Sequence, residues 1–149
     1  MTIKQKIKQQ HLLLLQDKID VYQDMISGLS DDAQNDAKGS AGDKHETALS
    51  MMHLEQEKLT NKLKESIVFK EIIEKIDVSK NVSTVTLGSY VKVNSMQLFV
   101  SAALPKITID GVTILSISPQ SPLGSELMGK KPLDVIVVNG NSFTIHEVL

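Results

Sequence analysis

The chain reads as an α+β protein, a long antiparallel helical hairpin followed by a small antiparallel sheet, and three observations predict this. Apolar residues recur at helical spacing through the first half. Near Ile76 the period changes from 3.6 to 2. Beyond that point Gly, Pro and Asn cut the chain into short β-branched runs. The expected organisation is a coiled-coil hairpin over residues 1–76 and a sheet domain over residues 77–149.

In the first element Leu12, Leu15, Ile19, Tyr22, Ile26 and Leu29 alternate spacings of three and four, a heptad stripe. A helix over residues 3–28 would rise roughly 39 Å. The polar stretch 30–42 is expected to connect it to a second helix. There Ala48, Met52, Leu59, Leu63 and Ile67 keep a thinner stripe through Glu, Gln, Lys, Asn and Thr. The register loosens at the base, where Lys70 falls at the next apolar position beside Phe69, Ile72 and Ile73. Two such stripes joined by a polar link bury each other in an antiparallel pair.

In the second half, residues 82–93 read as a strand pair or bent strand turned at Gly88-Ser89. Residues 97–104 and 112–117 give two further strands, separated by Pro105 and Asp110-Gly111. Residues 125–128 hold a short helix after the turn Ser121-Pro122-Leu123-Gly124. The last two strands, 135–138 and 142–148, form a hairpin across Asn139-Gly140-Asn141, a strong type I′ signal.

Composition narrows the chemistry. No cysteine occurs among the 149 residues, which excludes disulfides and thiolate catalysis. The basic start is followed by an apolar run of only four residues, Leu12 through Leu15, too short for a signal peptide or a membrane span, so a cytoplasmic protein with no membrane association is expected. All sixteen basic residues are lysines, and without the arginine fork no sequence-specific DNA reading is expected. His11, His53 and His146 are scattered and form no metal spacing, and Met51 and Met52 suit seam packing.

The segment between the helices carries the most distinctive chemistry. Asp31, Asp32, Asp36, Asp43 and Glu46 face only Lys38 and Lys44, so the tip of the hairpin is electronegative. Asp43 with Glu46 three residues later has the spacing of a capping box, which would start the second helix whatever else the pair does. Two carboxylates at a tip are also hard oxygen ligands of the kind Mg²⁺ takes alongside waters and phosphates. Asp31, Asp32 and Asp36 read as solubilising loop charges, and His45 as a solvent-facing residue at a helix start.

Gly42-Asp43-x-x-Glu46, the hairpin, and the run from Ser121-Pro122-Leu123-Gly124 through Gly129-Lys130 to Leu133-Asp134 together resemble the bacterial Gre family of transcript-cleavage factors. The resemblance implies that the sheet domain has an FKBP-like fold and docks on bacterial RNA polymerase at its secondary channel, with Ser121, Pro122, Leu123, Gly124, Gly129 and Lys130 as partner-binding positions. It implies that Asp43 and Glu46 are the catalytic tip pair and help hold the second Mg²⁺ of the polymerase active centre, close to the nascent RNA 3′ end. No cofactor would be bound stably by the chain alone, and the chain would be an accessory to cleavage rather than an enzyme. Departures from the family pattern are specific. Lys44 and His45 replace a leu-arg pair, Thr47 replaces asparagine, Leu49-Ser50 replaces glu-tyr, and Leu133 stands where glycine is usual. The acids beyond the pair keep open a Gre-like protein that binds and inhibits without cleaving. A prolyl isomerase would need an aromatic-lined pocket, and Tyr90, Phe99 and Phe143 supply one poorly.

Overall fold

In the computed structural model the described residues comprise the backbone of 1–39 and 43–149 and the side chains of 1–31 and 47–149. The order is α1 (Ile3–Gly39), α2 (Asp43–Lys75), β1 (Tyr90–Val93), β2 (Met96–Val100), β3 (Leu104–Ile109), β4 (Val112–Ile117), α3 (Pro122–Leu127), β5 (Val135–Val138) and β6 (Asn141–Val148). The architecture is α+β, as expected. Packing divides the chain into two compact units, one of Leu13–Lys70 and one of Met1–Leu12 with Glu71–Leu149. The ends of both long helices therefore belong with the sheet, whereas the expected hairpin ran to residue 76.

In the Leu13–Lys70 unit the heptad stripe of α1 is the buried face. Leu15 and Ile19 are buried, and Tyr22, Ile26 and Leu29 are half-buried. Hydrogen bonds fix the register: Lys70 Nζ donates to Gln16 Oε1 at 2.7 Å, and Gln56 Nε2 donates to Ser30 Oγ at 3.1 Å. Partners rise along one helix as they fall along the other by an equal step, which is antiparallel pairing. Two expectations need correction. Helix α1 continues through the polar stretch to Gly39, because polarity does not break a helix and Ala33, Gln34, Ala37 and Lys38 all favour one. Ile67 is 37% exposed, and Ser66 is buried in its place. The seam of α2 runs Met52, Gln56, Leu59, Leu63, Ser66, Lys70, strictly alternating steps of four and three, and placing Ile67 there would put two steps of four in a row.

The other unit holds a six-stranded sheet in the order β3-β4-β2-β1-β6-β5. All neighbours are antiparallel except β2 and β4, which run parallel, a departure from the antiparallel sheet expected. Residues 82–86, expected as strand, lie outside any strand. Val85 is nevertheless buried, and its backbone exchanges 2.8 Å bonds with Gly129 N–H and Lys130 C=O. Strand β3 is an addition. Pro105 read as a break, but β3 is an edge strand, where the missing proline N–H costs no ladder bond.

Both faces of the sheet bury apolar residues at its centre. On one, Val91, Val93, Leu98, Val100, Ile136, Ile145 and Val148 pack with Val85 and Leu127. On the other, Phe99 stacks against His11 at a centroid distance of 6.2 Å. Ile7, Ile73 and Ile76 are buried in this unit as well. Two lysines close its polar accounts: Lys8 Nζ donates to the carbonyls of Glu74 and Ile76 at 3.0 and 2.8 Å, and Lys4 Nζ to that of Lys80 at 2.9 Å. An ammonium at the end of α2 also meets the negative pole of that helix.

Candidate functional site

The side chains of the tip pair Asp43 and Glu46 lie outside the described residues, as do those of Asp32, Asp36, Lys38, Lys44 and His45. What the backbone gives is their place in the sequence of elements. Asp43 is the first residue of α2, with Glu46 one turn further on. From Asp43 to Lys70 that helix rises roughly 41 Å. Asp31 is exposed on α1, and Asp32 and Asp36 also belong to this helix, so the three acids expected on a loop stand on a helix instead. Among the described residues no cluster of three or more His, Asp or Glu could hold a metal ion.

The expected partner-binding run is described throughout. Ser121 caps α3: its Oγ accepts the Gly124 N–H at 3.0 Å and donates to the Ser118 carbonyl at 2.7 Å. Pro122 follows at the first helical position, where its missing N–H and fixed φ fit, so the helix begins three residues before residue 125, where it was expected. Gly124 is buried, and a Cβ there would lie 2.0 Å from the Ser118 carbonyl oxygen, so no other residue fits. Leu123 is half-buried and packs on the apolar cluster beneath the sheet. Gly129 takes φ +80° and, with Lys130, pairs with Val85. The run thus builds its own loop. Only Pro122 and Gly129 of the six positions are exposed, while Ser121, Leu123 and Lys130 are half-buried.

The residues this loop presents are different ones. Lys131-Pro132-Leu133-Asp134 closes with Asp134 N–H on the Lys131 carbonyl at 3.1 Å, and the Asp134 carboxylate accepts the Lys131 N–H at 2.9 Å. Proline second and φ +77° third make this a type II turn, whose third position ordinarily requires glycine. Leu133 occupies it at a cost of about 1–2 kcal/mol. Its side chain is 82% exposed, and Val135 and Val137 beside it are about 60% exposed. The leucine that departs from the family pattern is therefore both strained and outward. Sequence pattern could flag the substitution but not its exposure.

No family model matches the sequence, and no curated protein matches it. Among solved structures, GreA factor homolog 1 (Gfh1) of Thermus thermophilus aligns with 93% of this chain and 94% of its own, at 14% identity and a TM-score of 0.37. A likeness at those values does not bear on function. The chain itself consists of N-terminal helices, two of them antiparallel over Leu13–Lys70, followed by a six-stranded α+β unit built around a Ser-Pro-Leu-Gly helix start.

Proposed function

We propose that this chain is an accessory factor of bacterial RNA polymerase, carrying Asp43 and Glu46 on a helical hairpin into the secondary channel and stimulating cleavage of backtracked nascent RNA. The observation that supports it most is the combination, in one chain, of a long antiparallel hairpin whose second helix begins at the Asp43-x-x-Glu46 pair and a sheet unit bearing the Ser121–Lys130 run. Two carboxylates suit a Mg²⁺ ion that draws its other ligands from polymerase, water and phosphate. Such an ion acidifies a water and balances charge on the phosphodiester transition state. The chain's own part is to set two carboxylates at the end of a stiff lever. Among the described residues no helix is long and apolar enough to cross a membrane.

A second reading is favoured by one observation: α1 continues to Gly39, so Asp31, Asp32 and Asp36 ride on a helix beside the tip rather than on a loop. Extra helical acids suit a factor that occupies the channel and inhibits. Backtracked elongation complexes with wild type, Asp43→Asn and Glu46→Gln across a magnesium series separate the two. The cleavage reading expects 3′ fragments with wild type and their loss in either variant, partly restored by high magnesium. Wild type that yields no fragments above polymerase alone, yet displaces another channel-binding factor, supports inhibition. Fragments unchanged in the double variant would reduce the pair to a helix cap.

A further inference from the structure

The two edges of the sheet are treated differently. Edge strand β3 carries Pro105 and Lys106 and an irregular register between Leu104 and Ile107, all devices that discourage a further strand from pairing. Edge strand β5 is Val-Ile-Val-Val, with none of them. Its free edge can be read from the hairpin. The two-residue turn Asn139-Gly140, at φ +51° and +79°, closes on the pair Val138 and Asn141, and Ile145 N–H reaches the Asp134 carbonyl at 2.9 Å. Hydrogen-bonded and non-bonded pairs alternate from there, so Asp134, Ile136 and Val138 turn their backbone groups to β6 while Val135 and Val137 turn theirs away. Among the described residues no hydrogen bond reaches them from that side.

We propose that β5 is a strand-addition site: an extended segment of another protein pairs with the N–H and C=O groups of Val135 and Val137 and packs an apolar side chain on Leu133. This goes beyond the polymerase reading and does not depend on it. Strand addition draws affinity from the main chain and specificity from alternate side chains. The exposed valines ask for an apolar residue at every second position. Exposed Lys131 and half-buried Lys130 precede Leu133 and outnumber the one carboxylate after it, Asp134, so an acidic flank complements the site. A second copy is a poorer occupant, because a four-residue strand paired with itself falls well short of the ~1,200 Å² of a stable interface. Leu133 gives the proposal its own signature. A leucine held where glycine would relax the turn points to a role for its side chain outside the fold.

The test uses the full chain, isotopically labelled, and a blocked heptapeptide Glu-Val-Thr-Val-Thr-Val-Glu. Below about 1 mM peptide, saturable shifts confined to residues 131–138 and slowed exchange of the Val135 and Val137 amides are expected. A peptide methylated at alternate backbone nitrogens should bind at least about 10-fold more weakly. Val137→Pro, which removes an outward N–H and leaves the β6 ladder intact, should weaken binding by a similar factor. Leu133→Gly should weaken it about 5-fold while raising the thermal midpoint by about 3 °C. The proposal fails if no saturable binding occurs, if the methylated peptide binds equally well, or if Leu133→Gly melts lower than wild type. It also fails if the same amides become protected with rising protein concentration alone, which would assign the edge to a second copy.

Discussion

The two compact units are made of different material. In the sheet unit β2 alone buries Leu98, Phe99 and Val100 completely, on opposite sides of the sheet. In the Leu13–Lys70 unit the buried apolar residues among those described are Leu15, Ile19 and Leu59, and the seam between them carries Gln16, Ser30, Gln56, Ser66 and Lys70. A core on both faces fixes a unique fold. A polar seam fixes register at little gain in stability, since hydrogen bonds exchanged with water contribute modestly. The hairpin is thus built for alignment and the sheet unit for persistence.

That contrast predicts unequal responses to damage. The largest loss should come from Gly124→Val, which drives side-chain atoms into the Ser118 carbonyl and should cost the sheet unit about 4 kcal/mol, seen as loss of amide protection across β1–β6. Leu15→Asp buries an unpaired charge in the hairpin and should cost about 3 kcal/mol there. Protection through β1–β6 should survive it. Its collapse would mean that the units do not unfold separately.

A smaller effect is set by pH. His11 is buried, its Nε2 has no hydrogen-bond partner, and burial pushes its pKa down to about 4 from 6.5. The unfolded chain therefore takes up a proton near pH 6.5 while the folded one resists until about pH 4. Its contribution is intact above pH 6.5 and is lost as pH falls toward 4, about 2 kcal/mol of it by pH 5. Urea unfolding at pH 7.5, 6 and 5 should show the decline, and His11→Leu should flatten it. The smallest change should be a gain: Gln16→Leu with Lys70→Leu replaces a polar seam pair by an apolar one and should raise hairpin stability by about 1 kcal/mol in the same measurement. A loss would show that the polar register matters more than apolar area.

The sequence was most legible where one force dominated. The stripe of Leu15, Ile19, Tyr22, Ile26 and Leu29 is buried or half-buried along its length, because amphipathic packing is what spaces apolar residues that way. The Asn139-Gly140 turn was equally plain, because both positions need positive φ. Reading failed where tertiary context reversed a local signal. Pro105 marks a break in general but is harmless on an edge strand, and Ser66 fits a seam better than the more apolar Ile67 because helical phase outranks hydrophobicity. For the candidate docking run the residue types were visible, but their work was not. Gly124 and Leu123 face inward, and exposure passes to Leu133, Val135 and Val137, which no motif marks.

The division of the chain also sets an order of events during synthesis. Leu13–Lys70 is one continuous stretch, so its two helices can pair as soon as both have left the ribosome. The first twelve residues cannot finish with them. Ile7 and His11 belong to the unit completed by Glu71–Leu149, and His11 meets Phe99 some ninety positions later. At about 5–20 residues per second they wait several seconds for their partners. Lys4 and Lys8 keep that waiting segment charged and hydrated, and the same two ammoniums then clasp the carbonyls of Glu74, Ile76 and Lys80 once those emerge. Residues 1–12 are made before the hairpin and find their place after it.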